Sequence, residues 1–188
     1  MEKDDKDLYT HLSVDEIPDI DLYMDQVIQL FERKFSETKR SEDDKVLTKT
    51  MINNYAKGKL FFPIKNKKYS KEHIMLISLI YKMKNSLSIN DIKKKLETLN
   101  EKIVNEDLEL ENIYKSYEQL TQKNVDRFLE DETEIKSEIG REWKDIEYGE
   151  YIQQVLMVAS FTHMSNLFKR AAETIIDGME HLPSEKKE

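Results

Sequence analysis

The 188-residue chain contains no cysteine. Disulfides, thiolate metal sites and any catalytic or redox-sensing thiol are therefore excluded. Turn formers are scarce too, with only four Gly and three Pro, too few for the many tight turns of an all-β sandwich or barrel. No apolar run approaches the roughly 18 residues of a membrane-spanning helix. The opening MEKDDKDLYTHL has no apolar stretch of the kind a secretion signal needs. The expectation is a cytoplasmic protein with no membrane partner.

Catalytic signatures are missing as well. There is no H-E-x-x-H, G-x-S-x-G, phosphate-binding Walker loop or G-x-G-x-x-G. Of the four histidines, His11 and His181 fall in the tails and His73 suits a helix start, leaving His163 alone on an apolar stripe. With no second ligand at helical spacing, His163 reads as a core histidine rather than a metal ligand. Glu130, Asp131, Glu132 and Glu134 crowd one charged stretch and read as solvated. An enzyme is not expected, nor a metal or cofactor.

What the chain does have is charge and helical periodicity. Charged residues make up 36% and hydrophobic ones 38%, with a mean hydropathy of -0.72, a profile that fits amphipathic helices. The net charge of -8 argues against a nucleic-acid partner when taken whole. Its distribution reverses that reading. Lys45 to Lys95 holds 13 Lys against two acids, Glu72 and Asp91, for a net of +11, and the remainder of the chain carries -19. Such segregation is the footprint of phosphate contacts; the alternative is a solvated lysine-rich surface.

Residues 1 to 18 form an acidic leader, expected to be flexible. Val27, Leu30, Phe31 and Phe35 keep helical spacing, predicting a helix from about Ile20 to Ser36, and SETKRSEDDK after it reads as a loop. A short helix is predicted from Thr48, its cap, to Lys57, stopped by a left-handed Gly58. FFPIKNKKY, Phe61 to Tyr69, is extended and compact enough for a hairpin or wing. Ser70 and Ser88 open two further helices. Past Leu99 the charge changes sign, which places a boundary between a domain of residues 19 to 99 and a helical region of residues 100 to 188. That region is predicted as a helix from about Asn105 to Leu129, a connector from Glu130 to Asp145 interrupted by Gly140, and a final helix from about Ile146 to Gly178. The last carries Ile152, Val155, Leu156, Ala159, His163 and Leu167 in register and must be covered on several sides. Tyr114, Tyr117, Phe128, Trp143, Tyr148, Tyr151, Phe161 and Phe168 read as core, the alternatives being the lining of a ligand pocket or a subunit interface.

Function concentrates in the short helix. Thr48, Lys49, Thr50, Asn53, Asn54 and Lys57 can all donate to phosphates or base edges while Met51, Ile52 and Tyr55 face inward. Lys65, Lys67, Lys68 and Tyr69 follow in the wing, with Asn66 suited to its turn; the alternative is solvated lysines beside a core tyrosine. MINNYAKGKL, then KKYSKEHI, then SLSINDIKKKL resembles the MerR-type winged helix-turn-helix. With IPDIDLYMDQV ahead of LTKTMINNY, the chain is similar, from roughly Ile17 to Leu99, to an uncharacterised bacterial family of domains of unknown function related to MerR regulators (DUF1836-like). The resemblance implies a recognition helix at Thr48 to Lys57 and a wing at Lys65 to Tyr69 that reaches a flanking phosphate or minor groove. Asn53 and Asn54 stand where many MerR-type proteins carry Arg and an aromatic. The loop from Ser36 to Lys45 is also longer than the usual turn of about 3 to 4 residues.

The expected architecture is all-α with a minor β wing, a winged helix-turn-helix followed by a C-terminal helical dimerisation region. Its expected partners are double-stranded DNA, a second copy of the chain, and a small-molecule effector of unidentified chemistry. An adaptor that uses the C-terminal helices to hold a protein partner is the alternative.

Overall fold

The computed structural model describes residues 5–144 and 146–178. Residues 1–4 of the leader, Asp145 at the end of the expected connector, and residues 179–188 with His181 lie outside them. The described residues are mostly helical with a small antiparallel sheet. In chain order they form α1 (Asp5–Leu8), β1 (Leu22–Tyr23), α2 (Met24–Phe35), α3 (Lys49–Lys57), β2 (Lys68–Tyr69), α4 (Lys71–Met83), α5 (Ile89–Val104), α6 (Leu110–Trp143) and α7 (Gly149–Gly178). β1 and β2 pair with Leu22 opposite Tyr69 and Tyr23 opposite Lys68. The chain divides into two compact units between Lys123 and Asn124, within α6 and well beyond the change of charge at Leu99.

The first unit is built from helical stripes. Val27, Phe31 and Phe35 recur every four residues, one face of α2, and all three are buried. They meet Ile52 and Tyr55 of α3, Ile74, Ile77 and Ile80 of α4, Ile92 and Leu96 of α5, and Leu110 and Tyr114 of α6 in one core. α4 is the most enclosed of these helices, buried at every position from His73 to Ser78.

The leader is a correction to the sequence reading. Leu12, Val14 and Ile17 are each no more than 3% exposed and belong to that core. Ser13 and Glu16 form a capping box, the Ser13 amide donating to Glu16 Oε2 at 2.9 Å, so a short 3-10 turn at Val14–Glu16 presents the apolar side chains inward. Long-range hydrogen bonds fasten the segment. The Val14 amide donates to Glu118 Oε1 at 2.8 Å, Lys82 Nζ to the Thr10 carbonyl at 2.9 Å, and the Tyr114 hydroxyl to the Leu12 carbonyl at 2.8 Å.

In the second unit the expected connector is helix. α6 continues unbroken to Trp143, straight through Gly140. One glycine costs a helix only about 1 kcal/mol relative to alanine, and pairs such as Glu132 with Lys136, 2.7 Å apart at i and i+4, offset part of that. The corner into α7 depends on Gly149, because a Cβ there would lie 2.2 Å from the Trp143 carbonyl oxygen. The ring of Phe128 packs on Phe161 with centroids 5.7 Å apart. Of the stripe predicted to be core, only Ile152 is half-buried. Val155, Ala159, His163 and Leu167 are exposed, as are Tyr148, Tyr151 and Phe168. Half-buried Met157, Phe161 and Met164 form the inner face instead. Among the described residues, no helix is long and apolar enough to cross a membrane.

Candidate nucleic-acid interface

α3 starts where the sequence puts it. Thr48 is the cap, its Oγ1 accepting from the Met51 amide at 3.1 Å. Ile52 and Tyr55 are buried beneath, and Lys49, Thr50, Asn53, Asn54 and Lys57 are exposed on the opposite side. Because these five fall at i, i+1, i+4, i+5 and i+8, they form one continuous stripe with no carboxylate in it. Thr48 itself is half-buried with its oxygen engaged by the cap, so it positions the helix more than it presents a contact.

The helix ends in a way that differs from the expectation. Gly58 is right-handed at φ -72, and the left-handed residue is Lys59 at φ 56. The Leu60 amide donates to the Tyr55 carbonyl and the Lys59 amide to the Ala56 carbonyl, both at 3.0 Å, which is the Schellman pattern displaced by one residue. Gly58 is needed for space, since a Cβ there would come within 2.6 Å of Leu60 Cδ1 and 3.2 Å of the Asn54 carbonyl oxygen.

Beyond Pro63 the chain makes a two-residue turn. Lys65 and Lys68 bridge antiparallel, with the Lys68 amide donating to the Lys65 carbonyl at 2.9 Å. Asn66 and Lys67 at the tip both have positive φ, 51° and 59°, the type I′ signature. Lys65, Asn66 and Lys67 are exposed. Tyr69 is not. It is 1% exposed and meets the rings of Phe61 and His73 edge-on, because neighbouring residues of a strand point to opposite faces. Tyr69 therefore leaves the set of contact residues and joins the core.

The start of α2 ties the two parts together. Tyr23, its cap residue, lies under the Lys68 ammonium, which is 5.1 Å from the ring centroid. Two residues on, Asp25 pairs with Lys49 at 2.8 Å. One turn of backbone thus touches both the first residue of α3 and the wing. The Asp25 pair is exposed on both sides, so it contributes little stability and yields readily to a competing anion.

Not all the lysines of the basic segment belong to this surface. Lys82 is held inward, its Nζ over the Phe35 ring, and burial pushes its pKa down. Lys84 lies against Tyr81 with its pKa lowered for the same reason. Lys71 is taken by Asp19 at 2.7 Å and Glu111 at 3.3 Å.

Two residues that support the wing were missed or undervalued in the sequence. Asn100 of α5, 8% exposed, donates through Nδ2 to the Leu60 carbonyl at 3.0 Å and accepts through Oδ1 from the Phe62 amide at 3.2 Å. Its signal was an amide in register with Ile92 and Leu96. His73 of α4 accepts at Nδ1 from the Ser70 amide at 3.1 Å and lies with Nε2 3.1 Å from the Phe62 carbonyl.

With that geometry in hand, residues 12–117, more than half of the chain, match the family described as a domain of unknown function, DUF1836. The chain belongs to this family. No curated protein and no solved structure matches it. The DUF1836 segment begins at Leu12, the first core residue of the leader, and ends at Tyr117, just past the Tyr114 hydrogen bond that anchors it. It holds α3, the wing and both wing supports.

Proposed function

We propose that this DUF1836 chain is a sequence-specific, double-stranded DNA-binding transcriptional regulator with the winged helix-turn-helix arrangement of MerR-type proteins. α3 reads bases and the wing at Lys65 to Lys68 clamps the backbone. The observation that carries the reading is the α3 stripe of Lys49, Thr50, Asn53, Asn54 and Lys57, exposed and free of carboxylates in a chain whose net charge is -8. Asn side chains suit bidentate pairing with adenine, and lysines suit phosphate. A regulator of this kind engages two half-sites as a symmetric dimer, and the exposed Tyr151, Val155 and Val158 of α7 supply the apolar seam for a second copy.

Selection from a random duplex pool, followed by affinity measurements on variants, tests this. Asn53→Ala should relax base preference by about 1–3 kcal/mol at one position. Lys65→Ala should weaken all sequences alike and reduce the salt slope by about one. No duplex binding near physiological salt would overturn the proposal.

The exposed apolar side of α7 favours a second reading, an adaptor that seats a protein partner there. In that case the chain sediments as a monomer and α3 substitutions leave partner binding unchanged.

A further inference from the structure

One tyrosine of the first unit stands apart from the rest. Tyr9, Tyr55, Tyr69, Tyr81, Tyr114 and Tyr117 are buried or half-buried, whereas Tyr23 is 54% exposed. The small sheet accounts for its direction. Leu22 and Tyr69 lie opposite each other with side chains in the core, so the next pair in register, Tyr23 and Lys68, turns to the other face. There the Lys68 ammonium sits 5.1 Å from the Tyr23 ring centroid. The Tyr23 amide is held too, donating to Gln26 Oε1 at 2.8 Å. The hydroxyl is the part left over, with no hydrogen bond among the described residues.

What flanks this phenol gives it a use. Its ring carries a wing lysine, and two residues further on Asp25 holds Lys49, the first residue of α3, at 2.8 Å. The first turn of α2 thus presents a free O–H donor on the same short stretch of chain that touches both proposed contact elements. Resting on the DNA-binding reading above, we propose that Tyr23 is a third point of contact with the duplex, its hydroxyl donating to a backbone phosphate between those met by Lys49 and by the wing. A phosphate oxygen carries charge and no proton, so the bond is charge-assisted, and tyrosine is among the side chains that position proteins on the DNA backbone. In a helix-turn-helix the helix ahead of the reader crosses that backbone, which is the place of α2 in front of α3. Lys68 fixes the ring and brings positive charge to the same phosphate. Asp25 does not repel it as a lone carboxylate would, because Lys49 matches its charge.

The contact differs from a lysine's in one measurable way. A neutral donor displaces no counterion, so Tyr23 adds affinity without adding to the salt slope, and a phosphate bond carries no sequence preference.

The test compares the full chain with Tyr23→Phe in duplex affinity over a salt series, with ethylation interference on the same duplex. The substitution keeps the ring beneath Lys68 and removes a hydroxyl that bonds nothing in the fold, so urea unfolding should be unchanged. Affinity should fall about tenfold, as for a hydrogen bond to a charged group, and alike for preferred and unrelated sequences. The salt slope should stay the same, in contrast to Lys65→Ala, and ethylation of one phosphate should cease to interfere. Wild-type affinity in Tyr23→Phe overturns the contact, as does an unchanged interference pattern, a salt slope altered by about one, or base preference lost at a single position. In each of those cases the wild type still binds duplex and the DNA reading stands. A wild type that binds no duplex near physiological salt overturns that reading and the contact with it.

Discussion

Tyr55 and Tyr114 carry the same hydroxyl into different surroundings. Both are buried, at 4% and 1% exposure, and burial raises both phenols, so each acts as a neutral O–H. Tyr114 spends its proton on the Leu12 carbonyl at 2.8 Å and shares a second bond with Ser78 Oγ at 2.7 Å. Tyr55 has no hydrogen-bond partner among the described residues. Replacing each by Phe is one chemical change with two expected signs. Tyr114→Phe strands a buried carbonyl and should cost about 1–3 kcal/mol. Tyr55→Phe removes an unpaired buried group and should be neutral or stabilising by about 1 kcal/mol. Urea denaturation of both variants checks this, and equal losses would refute it. Neither contrast was legible in the sequence, where both residues are only aromatics on apolar stripes. The Tyr114 partner lies 102 residues away, and no local pattern encodes a contact of that span. Tyr69 shows the complementary case. Lys67, Lys68 and Tyr69 look like one patch in the sequence, but strand alternation sends Tyr69 into the core.

Among the elements, those with strong local periodicity were legible. α3 begins and ends within a residue of its prediction because Thr48 caps it and Gly58 stands at its end. The leader was misread because its apolar residues, Leu12, Val14 and Ile17, are too few to sustain one helical or strand period; their place in the core, fastened to Lys82 of α4 and to Tyr114 and Glu118 of α6, gives them meaning. α6 was cut short because its charge density and Gly140 resemble a linker, whereas the penalty of one glycine is small against 34 residues of helix. The wing was legible as a turn, but its left-handed Lys67 was not. Asn-Gly is the usual pair for this turn, and a left-handed non-glycine residue costs roughly 1–2 kcal/mol. Lys67→Gly should therefore stabilise the protein, by up to about 1 kcal/mol after the added freedom of the unfolded chain is subtracted. The same variant should bind duplex more weakly, with a salt slope lower by about one if Lys67 meets a phosphate. Stability from urea unfolding and affinity from anisotropy would then move in opposite directions. A Lys67→Gly protein that is more stable and binds unchanged would show that the lysine is retained for some reason other than DNA.

On the scale of the whole molecule, two surfaces stand out among the described residues as carrying little of the fold. One is the carboxylate-free stripe on α3. The other is the outer side of α7, where Tyr151 and Val158 are each 66% exposed and Val155 is 48% exposed. Isolated apolar side chains on a surface are ordinary, but several along one helix mark a site of association. Tyr151, Val155 and Val158 follow one another at four and three residues, the spacing of a helix-to-helix seam. The proposed DNA-binding function joins the two surfaces through two copies, because one recognition helix reads only a few base pairs and symmetric partners multiply that preference across half-sites. Charge placed in the seam should separate the parts. The double change Tyr151→Glu and Val158→Glu is expected to give a monomer by sedimentation while circular dichroism still reports the helices, since both side chains already face solvent. Duplex affinity for a two-half-site target should then fall well below that of the wild type, while affinity for an isolated half-site stays the same. A dimer that survives the double change would move the seam elsewhere. A wild-type chain that is monomeric at all concentrations and still binds single half-sites would leave α3 as the reader and assign the α7 face to a different protein.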